Sequence, residues 1–121
     1  MEFSGNKPIY KQIETHFYDQ ILNGKWSEGE RVPSVREVAV LMEVNPNTAI
    51  RAFQDLQEEG ILYNKRGVGY FVDDNALEKV KDLKREEFIQ DKLPVFFKYM
   101  DQLEISFSDL KQLYSSQRSK K

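Results

Sequence analysis

The chain has 121 residues, with 18 Lys+Arg against 20 Asp+Glu, one His and no Cys. That length gives one small domain plus an appendage, and 40% hydrophobic with 12% aromatic residues excludes wholesale disorder. Lack of Cys removes disulfide and thiolate–metal sites, no run approaches the ~20 apolar residues of a membrane span, and Met1-Glu-Phe-Ser-Gly lacks a signal peptide's charged start and apolar run, so a cytoplasmic protein is expected.

Residues 1–7 are a short polar lead. From Pro8 to Asn23, Ile9, Ile13, Phe17 and Ile21 recur every four residues, with Tyr10, Tyr18 and Leu22 alongside, which predicts an amphipathic helix ended by Asn23-Gly24. His16 falls on it as an edge residue, since no second metal ligand or partner acid accompanies it. Residues 24–33 are turn-rich. Trp26 is expected to pack beneath them, and Val32 to lie at a strand edge.

Residues 33–60 then read as two short helices joined by a tight turn. Ser34 and Glu37 form a Ser-x-x-Glu capping box, and Val35, Val38, Ala39 and Met42 mark one buried face. Asn45 is a good N-cap and Pro46 suits the first helical position. The second helix buries Ala49, Ala52, Phe53 and Leu56 and stops at Gly60. Asn45, Asn47, Thr48 and Arg51 are left outward near its N-terminus, where amides, hydroxyls and the helix terminus itself can meet base edges or phosphates.

Residues 61–72 carry strand formers on both sides of Arg66-Gly67-Val68-Gly69, which predicts a hairpin with a basic, glycine-bearing tip. Helix, turn, helix and basic hairpin in this order make a winged helix-turn-helix. Its positive charge has to be local, at Arg36, Arg51, Lys65 and Arg66, because residues 1–72 carry 8 Lys+Arg against 10 Asp+Glu. A winged helix used only for protein interaction is the alternative that this acidic balance raises. An enzyme is not expected: one His, no Cys and no glycine-rich phosphate loop leave no catalytic constellation, and no metal or cofactor is called for.

Asp73-Asp-Asn75 breaks the pattern and divides a DNA-binding domain, residues 1–73, from a helical segment, residues 74–121. Leu77, Val80, Leu83, Ile89, Leu93, Phe96, Met100 and Leu103 keep helical spacing, with Pro94 kinking the helix or starting a new one. Ser106 or Ser108 caps a last helix through Leu110, Leu113 and Tyr114, and the polar tail from Ser115 is expected to fray. Phe88, Phe97, Tyr99 and Phe107 add more apolar surface than two helices can hide. A two-fold homodimer through Leu83, Ile89, Leu93, Phe96, Phe97, Met100, Leu103, Phe107 and Leu110 is the expected solution, packing onto residues 9–22 the alternative. The fold class is therefore mainly α with a small β-hairpin wing.

Pro8-Ile-Tyr-x-Gln-Ile, then Gly29-Glu-Arg-Val-Pro-Ser-Val-Arg-Glu-Val-Ala, Val44-Asn-Pro-Asn-Thr-Ala, Gly60-Ile-Leu and Gly67-Val-Gly-Tyr-Phe-Val resemble the GntR family of bacterial transcription regulators over residues 8–72. The short helical tail is similar to the YtrA subfamily. The resemblance implies a homodimer on a roughly palindromic double-stranded DNA operator, often regulating transporter genes. It implies DNA contacts at Ser34 and Arg36, at Asn45, Asn47, Thr48 and Arg51 on the recognition helix, and at Lys65, Arg66 and Gly67 on a minor-groove wing. Ile50 departs from the basic residue many relatives carry. The 49 residues after Val72 leave no room for a large effector domain, so any small-molecule effector is expected in a cleft between helices or at the dimer interface.

Overall fold

The structure is a computed structural model that describes residues 7–119. The chain forms α1 (Ile9–Leu22), α2 (Val35–Leu41), α3 (Pro46–Glu58), β1 (Leu62–Lys65), β2 (Gly69–Val72), α4 (Ala76–Glu87), a π-helical turn (Phe88–Lys92), α5 (Leu93–Gln102) and α6 (Phe107–Ser119). It divides into two compact units, one ending at Leu83 and the other beginning at Lys84. Residues 1–6 of the polar lead and the last two lysines lie outside the described residues.

The first unit is built on the apolar periodicities of its helices. Ile13, Phe17 and Ile21 of α1 are buried, and Ile9, on the first turn, is exposed. From α3, Ala49, Ala52, Phe53 and Leu56 are buried against them. Phe17 and Phe53 meet edge-on at 5.3 Å, with Trp26 4.8 Å from Phe17 and Tyr70 4.8 Å from Phe53. His16 sits half-buried in edge contact with Trp26 at 6.2 Å, and burial lowers its pKa.

The hairpin pairs Leu62 with Val72, Tyr63 with Phe71, Asn64 with Tyr70 and Lys65 with Gly69. The segment before α2 adds a third edge, with Arg31 bridging Phe71 and the Val32 N–H donating to the Tyr70 carbonyl at 3.0 Å. Leu62 and Val72 turn inward to the core. The break at residues 73–75 starts α4, but Ala76 and Val80, one turn apart, are fully buried in the first unit, so that unit continues to Leu83.

In the second unit a π-helical turn precedes Pro94. Proline has no N–H to return to the Gln90 carbonyl, so the α-helical ladder is interrupted there. Ser106 caps α6 reciprocally with Asp109, the two backbone N–H donors lying 3.1 Å and 3.0 Å from their side-chain acceptors. The tail from Ser115 to Ser119, expected to fray, is helical and exposed.

Four helices end in the same backbone device. After α1, α2, α3 and α5 the C′ residue takes positive φ and the following N–H reaches back to the third carbonyl from the helix end, as in Val44 to Ala39 at 3.0 Å and Ile61 to Leu56 at 2.9 Å. Glycine fills this position at Gly24 and Gly60, but glutamate does at Glu43 and Glu104.

Candidate nucleic-acid interface

The helix-turn-helix is fixed at each end by its own side chains. The Ser34 Oγ accepts the Glu37 N–H at 3.1 Å while the Glu37 carboxylate accepts the Ser34 N–H at 3.0 Å. The Ser34 N–H first, and then the Ser34 hydroxyl, hold the Glu37 carboxyl below its usual range. The turn is closed by Glu43 at φ 55°, and the Asn45 Oδ1 then caps α3 by accepting the Asn47 N–H at 2.8 Å. Pro46 occupies the first turn, where an N–H would have no intrahelical partner.

This framework turns one face of α3 outward. Asn45, Asn47 and Arg51 are exposed and Thr48 is half-buried, whereas Ala49, Ala52 and Phe53 between them are sealed in the core. Arg36 is exposed on α2. Ser34 is half-buried and its hydroxyl is engaged in the cap. Asn45 uses its Oδ1 and keeps its amide N–H groups for a ligand. Ile50 is 40% exposed on the outer side of α3.

At the hairpin tip the Val68 N–H donates to the Lys65 carbonyl at 2.8 Å, and Gly67 sits at φ 78°, where a Cβ would be strained. Lys65, Arg66, Gly67 and Val68 are all exposed. The Lys65 ammonium lies 4.9 Å from the Phe71 ring.

Two contributors escaped the sequence reading. Arg31 is exposed beside the wing, and a Cβ on Gly69 would stand 3.0 Å from its Nε. The absence of a side chain at Gly69 lets the arginine lie across β2. Val32 at a strand edge was the available signal for its neighbour. Tyr10, on the first turn of α1, lies under Arg51, whose Cζ is 4.1 Å from the ring centroid. No local pattern links residues 41 positions apart.

Behind the outward face, Glu14 of α1 is 1% exposed, and its Oε2 has no hydrogen-bond partner. Burial, and then the Asp55 carboxyl of α3, push Glu14 up to about 8 against the pull of Lys11, whose Nζ lies 3.5 Å from Oε1. Tyr18 donates to Glu59 at 2.9 Å on the same side.

In the second unit Leu83's successors behave differently from one another. Ile89, Phe96, Phe97, Leu103 and Phe107 are exposed, as is Leu83 itself, while Leu93 and Leu110 are half-buried. Met100, expected on the pairing face, is 7% exposed and belongs to the unit's own packing, because it faces the bend between α5 and α6.

Residues 9–72 match the family described as bacterial regulatory proteins, gntR family. The chain is 33% identical over 109 residues to the HTH-type transcriptional regulator YhcF of Bacillus subtilis, covering 90% of this chain and 88% of that one. It is 41% identical over 69 residues to the HTH-type transcriptional repressor YtrA of the same organism, covering 57% of this chain and 53% of YtrA. Among solved structures, a GntR-family regulator from Bacteroides thetaiotaomicron superposes with TM-score 0.76 at 36% identity, over 93% of this chain and 98% of that one. A capped recognition helix with an outward polar opening, a basic wing and these likenesses agree: the chain belongs to the GntR family of DNA-binding transcriptional regulators.

Proposed function

We propose that the chain is a homodimeric repressor that reads a palindromic operator, with the opening of α3 in the major groove of each half-site. The observation that carries this reading is the split of α3 into a core-sealed face and an exposed face bearing Asn47 and Arg51. Asn pairs with adenine and Arg with guanine through two hydrogen bonds each, and a good bidentate pair discriminates by about 1–3 kcal/mol. Arg36, Arg51, Lys65 and Arg66 supply phosphate attraction in a chain of net charge −2, so binding rests on base contacts and on pairing of subunits more than on overall charge. Arg31 joins the wing cations.

The second unit supports pairing by its unburied apolar residues, which water penalises until a second copy covers them. Two subunits then meet half-sites about 34 Å apart. The relative YtrA is named a repressor, and the same sign of control is assigned here. Action on DNA in a bacterial-type regulator assigns the chain to the cytoplasm. For a small-molecule effector, two clefts have the volume a ligand needs: one of about 430 Å³ between α1 and α2, lined by Phe17, Trp26 and Leu41, and one of about 450 Å³ at the α5–α6 bend, lined by Phe97 and Phe107.

A footprint of the full chain at low salt on the promoter of its own coding sequence tests the reading. Two protected half-sites one helical turn apart and reduced transcription from that promoter are expected. No protection, or protection with raised transcription, overturns the DNA reading or the repressor assignment respectively.

A further inference from the structure

We propose that Tyr10 is a positioning residue for base reading: its ring holds the Arg51 guanidinium by the face, so that the N–H edge of Arg51 is presented to the paired acceptors of a guanine. The inference rests on the DNA-binding reading above and names how one of its contacts is made.

The geometry has three parts. The first is the platform. Tyr10 is half-buried and packed against the core of the first unit. The turn that carries it is tied down by the Gln12 side chain, which donates to the Lys7 carbonyl at 2.8 Å, and by the Lys11 and Gln12 N–H groups, which donate to the Pro8 carbonyl at 3.1 Å and 3.2 Å. The ring is therefore anchored by the fold and not by the arginine.

The second part is the arginine. Its Cζ stands over the ring at 4.1 Å, inside the range in which a guanidinium is attracted by an aromatic face. Arg51 is exposed, and among the described residues no carboxylate or other hydrogen-bond acceptor pairs with it. Asp55, one turn further along α3 and the acid best spaced to take it, is turned to Glu14 instead. The five N–H donors of the guanidinium lie in its plane, so a ring against one face leaves them unspent at the edge.

The third part is the consequence. An exposed arginine loses much rotamer freedom when it makes two directed hydrogen bonds. A ring that already restricts the side chain reduces that loss, which makes the arginine a better discriminator of guanine. Only the ring is required. The Tyr10 hydroxyl plays no part in the contact, so phenylalanine serves equally.

The test uses the full-length chain and a randomised 24-base-pair duplex pool, from which the wild type selects its preferred sequence. That sequence is then varied one base pair at a time for wild type, Tyr10→Phe, Tyr10→Leu, Arg51→Ala and the double variant Tyr10→Leu/Arg51→Ala, with thermal unfolding to show that each is folded. Tyr10→Phe is expected to bind as wild type. Tyr10→Leu should weaken binding by about fivefold per half-site and relax the preference at a G·C pair, the same pair that Arg51→Ala relaxes. In the Arg51→Ala background Tyr10→Leu should then change nothing further.

Loss from Tyr10→Leu that is uniform over all base pairs, or that adds fully to Arg51→Ala, overturns the proposal, as does an equal loss with Tyr10→Phe. A wild-type chain that enriches no sequence from the pool is a different result: it overturns the DNA-binding reading itself.

Discussion

The two units solve the same physical problem differently. In the first, α1, α3, the hairpin and the opening of α4 enclose one interior, and every residue of the hydrophobic core cluster lies between Ile13 and Val80. In the second, Met100 is the buried hydrophobic residue, while Phe88, Ile89, Val95, Phe96, Phe97, Tyr99, Leu103, Phe107, Leu113 and Tyr114 stay exposed. Both are rich in apolar side chains. The difference is closure: fewer than 40 residues on two helices and a π-turn have too little chain to surround their own aromatics. A unit that closes its core can fold alone and spend its surface on recognition. A unit that does not is the one proposed above to pair with a second copy.

The largest effect that would separate the two is a pair of truncations of the same residue type. Phe53→Ala removes a fully buried ring in contact with Phe17 and Tyr70, and should destabilise the first unit by about 3–5 kcal/mol. Phe107→Ala removes a ring that is 76% exposed and should cost less than about 0.5 kcal/mol in dilute protein. Thermal unfolding at low concentration measures both. Equal losses would mean that Phe107 is buried in the single chain and the contrast between the units is false.

The second test asks whether the exposed aromatics are the surface of association. On the proposed pairing, Phe96→Asp puts a charge where two copies exclude water, so sedimentation should find a dimer for the wild type and a folded monomer for the variant, with DNA affinity reduced by far more than a single lost base contact. Met100→Asp is expected to behave differently. It places a carboxylate inside the second unit and should unfold that unit rather than merely separate the copies. A Phe96→Asp variant that still sediments as a dimer would move the interface elsewhere.

Much of this division was legible in the sequence, and the exceptions share a cause. The Ser34–Glu37 box, the Asn45 cap and the inward face of α3 follow from spacings within a single helix, and they are found where the spacing put them. Features that depend on residues meeting across the fold were not legible. Nothing in the pattern of α1 marks Glu14, because its burial is created across the fold and not by its neighbours on α1. The Tyr10–Arg51 contact, the course of Arg31 across Gly69 and the inward turn of Met100 belong to the same class. The α4 boundary was displaced for the converse reason: the polar triplet at 73–75 is a real local break, but Ala76 and Val80 carry the first core past it.

Glu14 also makes the closed core sensitive to pH. Its carboxyl is raised to about 8, chiefly by burial, from an ordinary value of 4.5 in the unfolded chain. The folded state therefore holds a proton that the unfolded state releases. The stabilisation is fully present below 4.5, declines as pH rises, and is gone above about 8. The decline is on the order of a few kcal/mol, at about 1.4 kcal/mol per unit. Glu14→Gln keeps the shape without the titration, so its stability should be nearly flat over this window and exceed that of the wild type at pH 8. A wild-type stability that instead rises from pH 5 to 8 would mean that Glu14 is ionised in the core and held by Lys11.

The smallest effect gives the sharpest comparison, because one backbone geometry recurs in both units. Glu43, in the helix-turn-helix, has φ 55°, and Glu104, at the α5–α6 bend, has φ 54°. Each is followed by an N–H that bonds back into the preceding helix, Val44 to Ala39 at 3.0 Å and Ile105 to Met100 at 2.9 Å. A side chain in the left-handed region costs about 1 kcal/mol that glycine does not. Glu43→Gly should therefore stabilise the first unit by about that amount and slow hydrogen exchange in α2 and α3. Glu104→Gly should do the same for α5 and α6 alone. If the units unfold independently, each substitution protects its own amides and leaves the other set unchanged. Protection that spreads from Glu104→Gly into α3 would show that the second unit lends stability to the DNA-reading one, and the two could no longer be treated as separate solutions.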